Sequence, residues 1–358
     1  MRNNLDNLSK FWKNKKVFLT GHTGFKGSWF SIFLNLLGAK IIGYSLKPDH
    51  KLNFFELANL SSVLDKSIIG DIRDYKKLKE SIIKSKPDFI VHMAAQSLVR
   101  YSYDYPKYTY EVNTLGTVNI LNILHELKSI KSALIITTDK VYENKNNEVY
   151  FKENDNLGGV DPYSNSKSCA ELIINSYISS FLKKESISVA SARAGNVIGG
   201  GDFSSDRIIP DYFRAFKSKK LFLRSPNSIR PWQHVIEPLY GYILLLVNLY
   251  NKNEKYSDHA WNFGPKKSNN KSVSNVINLI NSYFNDDIKI IKNTSLFNKH
   301  YESKLLMLDS KKSERLLKWK PKYDLNKSVK LIAEWHKNYL KKRDIFKFSQ
   351  QQIFDYFN

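Results

Sequence analysis

Cysteine is almost absent: Cys169 stands alone in 358 residues. One thiol excludes an internal disulfide and any metal cage built from cysteines, and no metal is expected. Its neighbour Ala170, on an expected helix, favours ordinary packing over reactivity. No apolar run approaches the roughly 20 residues that span a bilayer, so no membrane partner is expected. The first residues, Met1-Arg2-Asn3-Asn4-Leu5-Asp6, lack the apolar centre of a signal peptide, and a cytoplasmic setting is expected. Zinc-finger spacing, a helix-turn-helix signal, a dense basic block and an internal repeat are missing too. These absences govern how the net charge of +22 is read. A strongly basic chain attracts nucleic acid, anionic membrane or phosphorylated metabolites. Here the lysines are scattered as pairs such as Lys76-Lys77, Lys183-Lys184 and Lys341-Lys342. That pattern describes a solvated surface that also favours a nucleotide diphosphate, and nucleic acid is not expected as a partner.

What is present is an ordinary globular composition, 42% hydrophobic and 25% charged. The length suggests about two domains. Apolar runs at Val17-Phe18-Leu19, Lys40–Ser45, Ser67–Ile72, Pro87–His92, Ala133–Thr137 and Ile187–Ala192 read as strands. Helical stretches alternate with them, notably about 106–127 and one starting at Asp161-Pro162. Strand–helix alternation of this kind predicts an α/β fold with a doubly wound parallel sheet. The alternation is lost from about Phe203. The expected division is therefore residues 1–195 as a dinucleotide-binding domain and 196–358 as a smaller α/β substrate lobe, some segments of which return to the first. Residues 143–157 read as a polar loop, and Asp344–Asn358 as a docking helix or tail.

The stretch Thr20-Gly21-His22-Thr23-Gly24-Phe25-Lys26-Gly27 lies between the first strand and an apolar helix ending near Gly38. Such a turn presents backbone N–H groups and the positive end of a helix dipole to a dinucleotide diphosphate. Gly21 would permit the tight turn, Gly24 the approach of the phosphates and Gly27 close helix–sheet packing. Thr23, Phe25 and Lys26 share the turn as candidate cofactor residues. Asp71 and Ile72, leaving the third strand, are candidates for the adenine edge, although Asp71 is equally placed to cap the helix near Asp74. The small residues Ala94 and Ala95 after the fourth strand leave room for a dinucleotide. At the end of the second strand Lys47 stands near where NAD sites carry an acid, with Asp49 slightly later. NAD is expected, with NADP left open by Lys47.

Tyr163 and Lys167 are four residues apart and share a helix face. A phenol, with a reference pKa of about 10, is a poor base at neutral pH unless a nearby cation favours its ionised form. Thr138-Asp139-Lys140 ends the fifth strand, where open α/β sheets bind ligands. Arg193, Arg207 and Arg230 are candidates for a substrate diphosphate, which guanidinium groups match bidentately. Asn196 and His234 are candidates for placing the nucleotide.

Gly21-x-x-Gly24-x-x-Gly27, His92-Met93-Ala94-Ala95-Gln96 and Tyr163-x-x-x-Lys167 resemble the extended short-chain dehydrogenase/reductase family, which includes nucleotide-sugar epimerases and dehydratases. The resemblance runs from about residue 10 to 340 and implies a Rossmann-type sheet and a homodimer. Gly158–Lys167, Arg193–Asp202 and Ser228–Val235 are similar to the branch that dehydrates CDP-glucose, in which Asp-Lys follows the Thr. That resemblance implies C4 oxidation, loss of water across C5 and C6, and a role in deoxysugar biosynthesis for lipopolysaccharide O-antigen. It gives Thr138 the C4 oxygen, Tyr163 its proton, Lys140 the C5 proton and Asp139 the departing C6 hydroxyl. Rival readings are a UDP-N-acetylglucosamine dehydratase, an epimerase and a non-catalytic dinucleotide sensor.

Overall fold

Alternation along the central strands divides their side chains between two cores. Val17, Leu19, Phe89, Val91, Leu134 and Ile136 join one buried cluster, while Phe18, Ile90, Ala133 and Ile135 join another. A strand places successive side chains on opposite faces, so an unbroken apolar run signals a sheet covered on both sides. Helices supply both covers. Trp29, Phe30 and Phe33 from Phe25–Leu36 and Leu239, Ile243 and Leu246 from Ile236–Tyr250 lie on the first side. Leu78 and Ile82, Ile120 and Leu124, and Ile174 lie on the second.

The computed structural model describes residues 2–48, 50–251, 259–284, 288–292 and 303–358. In chain order its strands begin with β1 (Lys16–Thr20), β2 (Lys40–Ser45), β3 (Lys66–Ile69), β4 (Phe89–His92), β5 (Ser132–Ile136), β6 (Tyr150–Phe151) and β7 (Ser188–Ala194). They continue with β8 (Asn196–Ile198), β9 (Lys220–Leu223), β10 (Ile229–His234), β11 (Ala260–Phe263), β12 (Asn270–Ser272), β13 (Lys289–Lys292) and β14 (Met307–Leu308). Seven form a parallel sheet in the order β11-β7-β5-β4-β1-β2-β3. The order reverses at β1, which pairs with both β2 and β4. A crevice therefore opens beyond the carboxyl ends of β1 and β4, the usual ligand position in such sheets. This is the α/β, doubly wound arrangement expected from the strand–helix alternation.

The smaller lobe carries β8, β10 and β12 in one sheet and β9 with β13 in another. Its own core includes Ile209, Tyr212, Trp232, Ile277 and Val329. β11 lies in the main sheet although it follows residue 196, and the helix Ile236–Tyr250 covers that sheet. The polar stretch 143–157 contains β6, which pairs with β14; two-residue strands leave no periodicity to read. The 106–127 segment is helical throughout but widens to a π turn at Glu111–Leu115. The C-terminal segment is the helix Ile345–Asp355, and its Phe357 packs edge-on against Phe33 at 5.9 Å between ring centres. It is part of the main core, not a free tail. Among the described residues no helix is long and apolar enough to cross a membrane.

Four enclosed histidines make the fold sensitive to acid. Burial lowers His22 and His336 to about 4 and His92 and His234 to about 3, against an ordinary 6.5. Between those values and 6.5 the unfolded chain binds more protons, so stability rises with pH across this window and is lost on acidification. Each histidine contributes a slope of about 1.4 kcal/mol per pH unit there. Urea midpoints should fall steadily from about pH 7 to about pH 4.5; a flat profile would contradict neutral, buried imidazoles.

Candidate active site

The glycine turn leaves β1 in a form that only part of its sequence explains locally. Gly21 has φ +77°, and a Cβ there would lie 2.7 Å from the Ala94 nitrogen. A Cβ on Gly27 would lie 2.1 Å from the Gly21 carbonyl oxygen, so these two positions are closed by the protein itself. Gly24 differs: a Cβ would meet only that carbonyl, at 3.4 Å, and otherwise enter open space. Gly24 also begins the helix Phe25–Leu36 without a side-chain cap. The first N–H groups of that helix have no intrahelical acceptor and no side-chain cap, which leaves them available to a phosphate. The turn fits a dinucleotide diphosphate at Gly24 and the start of its helix, with Gly21 and Gly27 shaping the turn and Phe25 and Lys26 in the first residues of that helix.

Neighbouring candidates take more varied places. The Thr23 hydroxyl bonds Ser45 Oγ at 2.8 Å and the Leu46 carbonyl at 3.0 Å, tying the turn to the end of β2. Lys47 is exposed there, and Asp49 lies outside the described residues. Thr20 Oγ1 accepts the N–H groups of Met93 and Ala94, each at 3.1 Å, which sets Ala94 and Ala95 at the exit of β4. Asp74 caps the helix Tyr75–Ser85, while Asp71 is held by the Arg73 guanidinium at 2.7 Å and kept below the usual carboxylate range by that hydrogen bond. Ile72 packs its side chain under Gly116.

The reactive groups gather where β5 ends. Asp161 caps the helix Pro162–Tyr177 by accepting from the Ser164 N–H at 2.9 Å. The helix projects Tyr163 and Lys167 towards the strand end, both nearly enclosed. Thr138 Oγ1 donates to Asp139 Oδ1 at 3.1 Å. Lys140 Nζ stands 3.7 Å from the same oxygen. Asp139 is 2% exposed, and its Oδ2 has no hydrogen-bond partner among the described residues. Burial pushes Tyr163 up to about 12, opposed by the Thr138 hydrogen bond and the Arg207 charge. Lys167 donates to the Ile136 carbonyl at 3.1 Å; burial and the Lys26 charge lower it to about 8. Lys26 is also lowered to about 8, by burial and then by Arg207. Cations thus outnumber the one carboxylate, Asp139, in this cleft, a field suited to anionic ligands.

The substrate-side candidates separate. Arg207 belongs to the cluster, bonded to Ser97 Oγ at 3.0 Å and paired with Asp202 at 3.4 Å. Asn196, opposite Trp232 on β8, is half-buried, and Arg230 is buried on β10 with Nη1 on the Ile229 carbonyl. Arg193 requires a correction. Its guanidinium is sealed inside the main domain, 2.8 Å from Glu171 Oε2 and 2.9 Å from the Tyr142 hydroxyl, and cannot present itself to a diphosphate. His234 requires one as well: it is wholly enclosed, 5.9 Å from Trp29 and 6.0 Å from Tyr323 between ring centres.

The family profile of GDP-mannose 4,6 dehydratase matches residues 18–332. The chain belongs to that family. It is 42% identical to the CDP-glucose 4,6-dehydratase of Salmonella typhimurium, over 97% of each chain. It is 25% identical to the CDP-paratose 2-epimerase of Salmonella typhi, over 89% of this chain and 98% of that one. Among solved structures, dTDP-glucose 4,6-dehydratase from Bacillus anthracis in complex with NAD matches with a TM-score of 0.74 at 22% identity, covering 93% of this chain and 99% of that one. UDP-glucose 4-epimerase from Thermotoga maritima with UDP-glucose gives 0.78 at 18%, covering 91% and 99%.

In this dehydratase-family chain several positioning residues escaped the motifs. Asn113, on the π turn, donates to the Gln96 carbonyl at 2.9 Å and to Ser166 Oγ at 3.0 Å, and accepts from the Gln96 N–H at 2.9 Å. Ser166 in turn donates to the Tyr163 carbonyl at 2.7 Å, while Ser102 Oγ accepts the Tyr163 N–H at 3.1 Å. The exit of β4 and the start of the Tyr163 helix are thereby locked together. An asparagine on the buried face of an apolar helix was the available signal.

Proposed function

We propose that the protein converts CDP-glucose to CDP-4-keto-6-deoxyglucose and water, with NAD as its cofactor. The convergence of Thr138, Asp139, Lys140, Tyr163 and Lys167 on one strand end carries this reading, supported by the likeness to the Salmonella typhimurium enzyme across both chains. NAD, when bound, takes a hydride from C4 of the sugar and returns it to C6. Gly24 and the first turn of its helix hold the dinucleotide diphosphate. Tyr163, once ionised, removes the O4 proton, and Thr138 directs that oxygen. The C4 ketone acidifies the C5 hydrogen, which Lys140 takes as a neutral amine. Asp139, as the neutral acid, gives its proton to the leaving C6 hydroxyl, which departs as water. An Asp–Lys pair has the same total charge ionised or neutral, and exclusion of water favours the neutral pair. Arg207, with Arg230 and Asn196, serves the substrate diphosphate and nucleotide.

Two coarser features extend the proposal. Leu115, Tyr101, Tyr105, Leu172 and Phe181 are exposed on the helices around 99–127 and 162–182. An apolar face of this kind favours pairing with a second copy as a homodimer. A nucleotide-sugar substrate and a lone free thiol suit the cytoplasm, with the product passing to enzymes of deoxysugar synthesis such as that of O-antigen. Purified protein should turn over CDP-glucose in preference to UDP-, dTDP- and GDP-sugars, followed by the alkaline absorbance of the 4-keto-6-deoxy sugar. Preference for another nucleotide would reassign the substrate. An epimerised product that retains its C6 hydroxyl would replace the dehydratase reading.

A further inference from the structure

Next to Arg207, a pair of guanidinium groups that the reaction above does not use meets on Asp206. Asp206 has φ +57°, a left-handed backbone uncommon outside glycine. Its Oδ1 takes Arg100 Nη1 at 2.9 Å and Arg224 Nη1 at 3.4 Å. Arg224 Nη2 also donates to the Asp206 carbonyl at 2.9 Å. Arg100 comes from the helix Val99–Asp104 that follows β4, and Arg224 follows β9 in the smaller lobe. The bridge therefore joins the segment after β4 to the smaller lobe next to Arg207, which itself bonds Ser97 Oγ in that segment at 3.0 Å.

Two chemical facts bear on this bridge. A single carboxylate faces two guanidinium groups, leaving one positive charge uncompensated within it. All three side chains are also partly exposed, a setting in which ion pairs contribute little to stability. A fold-stabilising role is therefore a weak explanation for them. A diphosphate offers more charge and more oxygens than Asp206, in the geometry that guanidinium groups match. Position agrees as well. The sugar oxygen at Tyr163 is O4, and the diphosphate is attached at C1, at the far end of the pyranose ring. It must lie away from the reaction centre, and Asp206 adjoins Arg207, the arginine assigned to the diphosphate above.

We propose that Arg100 and Arg224 are outer ligands of the substrate diphosphate, and that Asp206 holds them together until the diphosphate displaces it. This rests on the nucleotide-sugar reading given above. The test is titration of the NAD-loaded enzyme with CDP and, separately, with cytidine. Arg224→Met and Arg100→Met should each weaken CDP by about tenfold, the loss of one charge-assisted contact, while cytidine binding stays the same. Asp206→Asn, which keeps the shape but removes the competing charge, should tighten CDP. For CDP-glucose turnover the arginine variants should act more on KM than on kcat. Thermal midpoints near that of the wild type check that the fold stands. An unchanged ratio of CDP to cytidine affinity in both arginine variants would overturn the proposal. Failure of the CDP-glucose reading looks different: the wild type would then prefer another nucleoside diphosphate, and the arginine dependence is measured on that nucleotide with its nucleoside.

Discussion

Lys140→Met is expected to stop exchange of the C5 hydrogen with solvent and to lower turnover by about 10²–10⁴-fold, the usual contribution of a positioned acid or base. Oxidation at C4 should survive in part, because Tyr163, Thr138 and Lys167 are untouched, so a 4-keto-glucose nucleotide should be recoverable after a single turnover. Asp139→Asn should behave differently. With the acid gone but the amine in place, deuterium should still enter C5 from heavy water while loss of the C6 hydroxyl is suppressed to a similar degree. The contrast follows from the roles proposed for the two groups, which the structure sets side by side with Lys140 Nζ 3.7 Å from Asp139 Oδ1. Mass spectrometry of the sugar recovered from heavy water separates the two steps. Full turnover with normal C5 labelling in both variants would falsify the assignment.

Arg193→Met should be among the most destabilising single changes, at about 3–5 kcal/mol, because it leaves the buried Glu171 carboxylate without a counter-ion. The Glu171 carboxylate also takes hydrogen bonds from Thr137 and from Ser191 at 2.7 Å, and it lies one turn beyond Lys167 on the same helix. Burial pushes Glu171 up, but the Arg193 charge and hydrogen bonds outweigh it and keep the group below its ordinary value. Unfolding in urea measures the loss. The double variant Arg193→Met with Glu171→Gln should recover much of it, since no unpaired charge then remains. A double variant as unstable as the single one would show that packing, not charge, holds this site. If Arg193 instead bound the substrate diphosphate, the folded variant would lose affinity for CDP with little change in its urea midpoint.

Legibility in the sequence followed distance along the chain. The glycine turn was readable because strand, turn and helix are contiguous, and the structure separates its glycines into two that packing demands and one that faces open space. Tyr163 and Lys167 were readable because helical spacing alone puts them on one face. Arg193 was misread. Nothing in Ser191-Ala192-Arg193-Ala194 reveals that its side chain points into the domain, towards a glutamate 22 residues earlier. The parity of a strand and the phase of a helix are local, but their relative orientation is set only when the helix crosses over and docks. The aromatic C-terminus was left open for the same reason, since its partner Phe33 lies at the other end of the chain.

From residues in order came the α/β class, the alternation that makes the sheet parallel, the glycine turn and the two candidate runs at Thr138–Lys140 and Tyr163–Lys167. Each rests on spacings of a few residues, where backbone geometry dictates which side chains can meet. Tertiary structure alone decided which arginines face the crevice and which are sealed within. It also brought Asn113 to Gln96 and Ser166, and joined Arg100 to Asp206 across 106 positions. Contacts at that separation depend on how whole elements pack, because burial and charge pairing are settled by neighbours in space and not by neighbours in sequence.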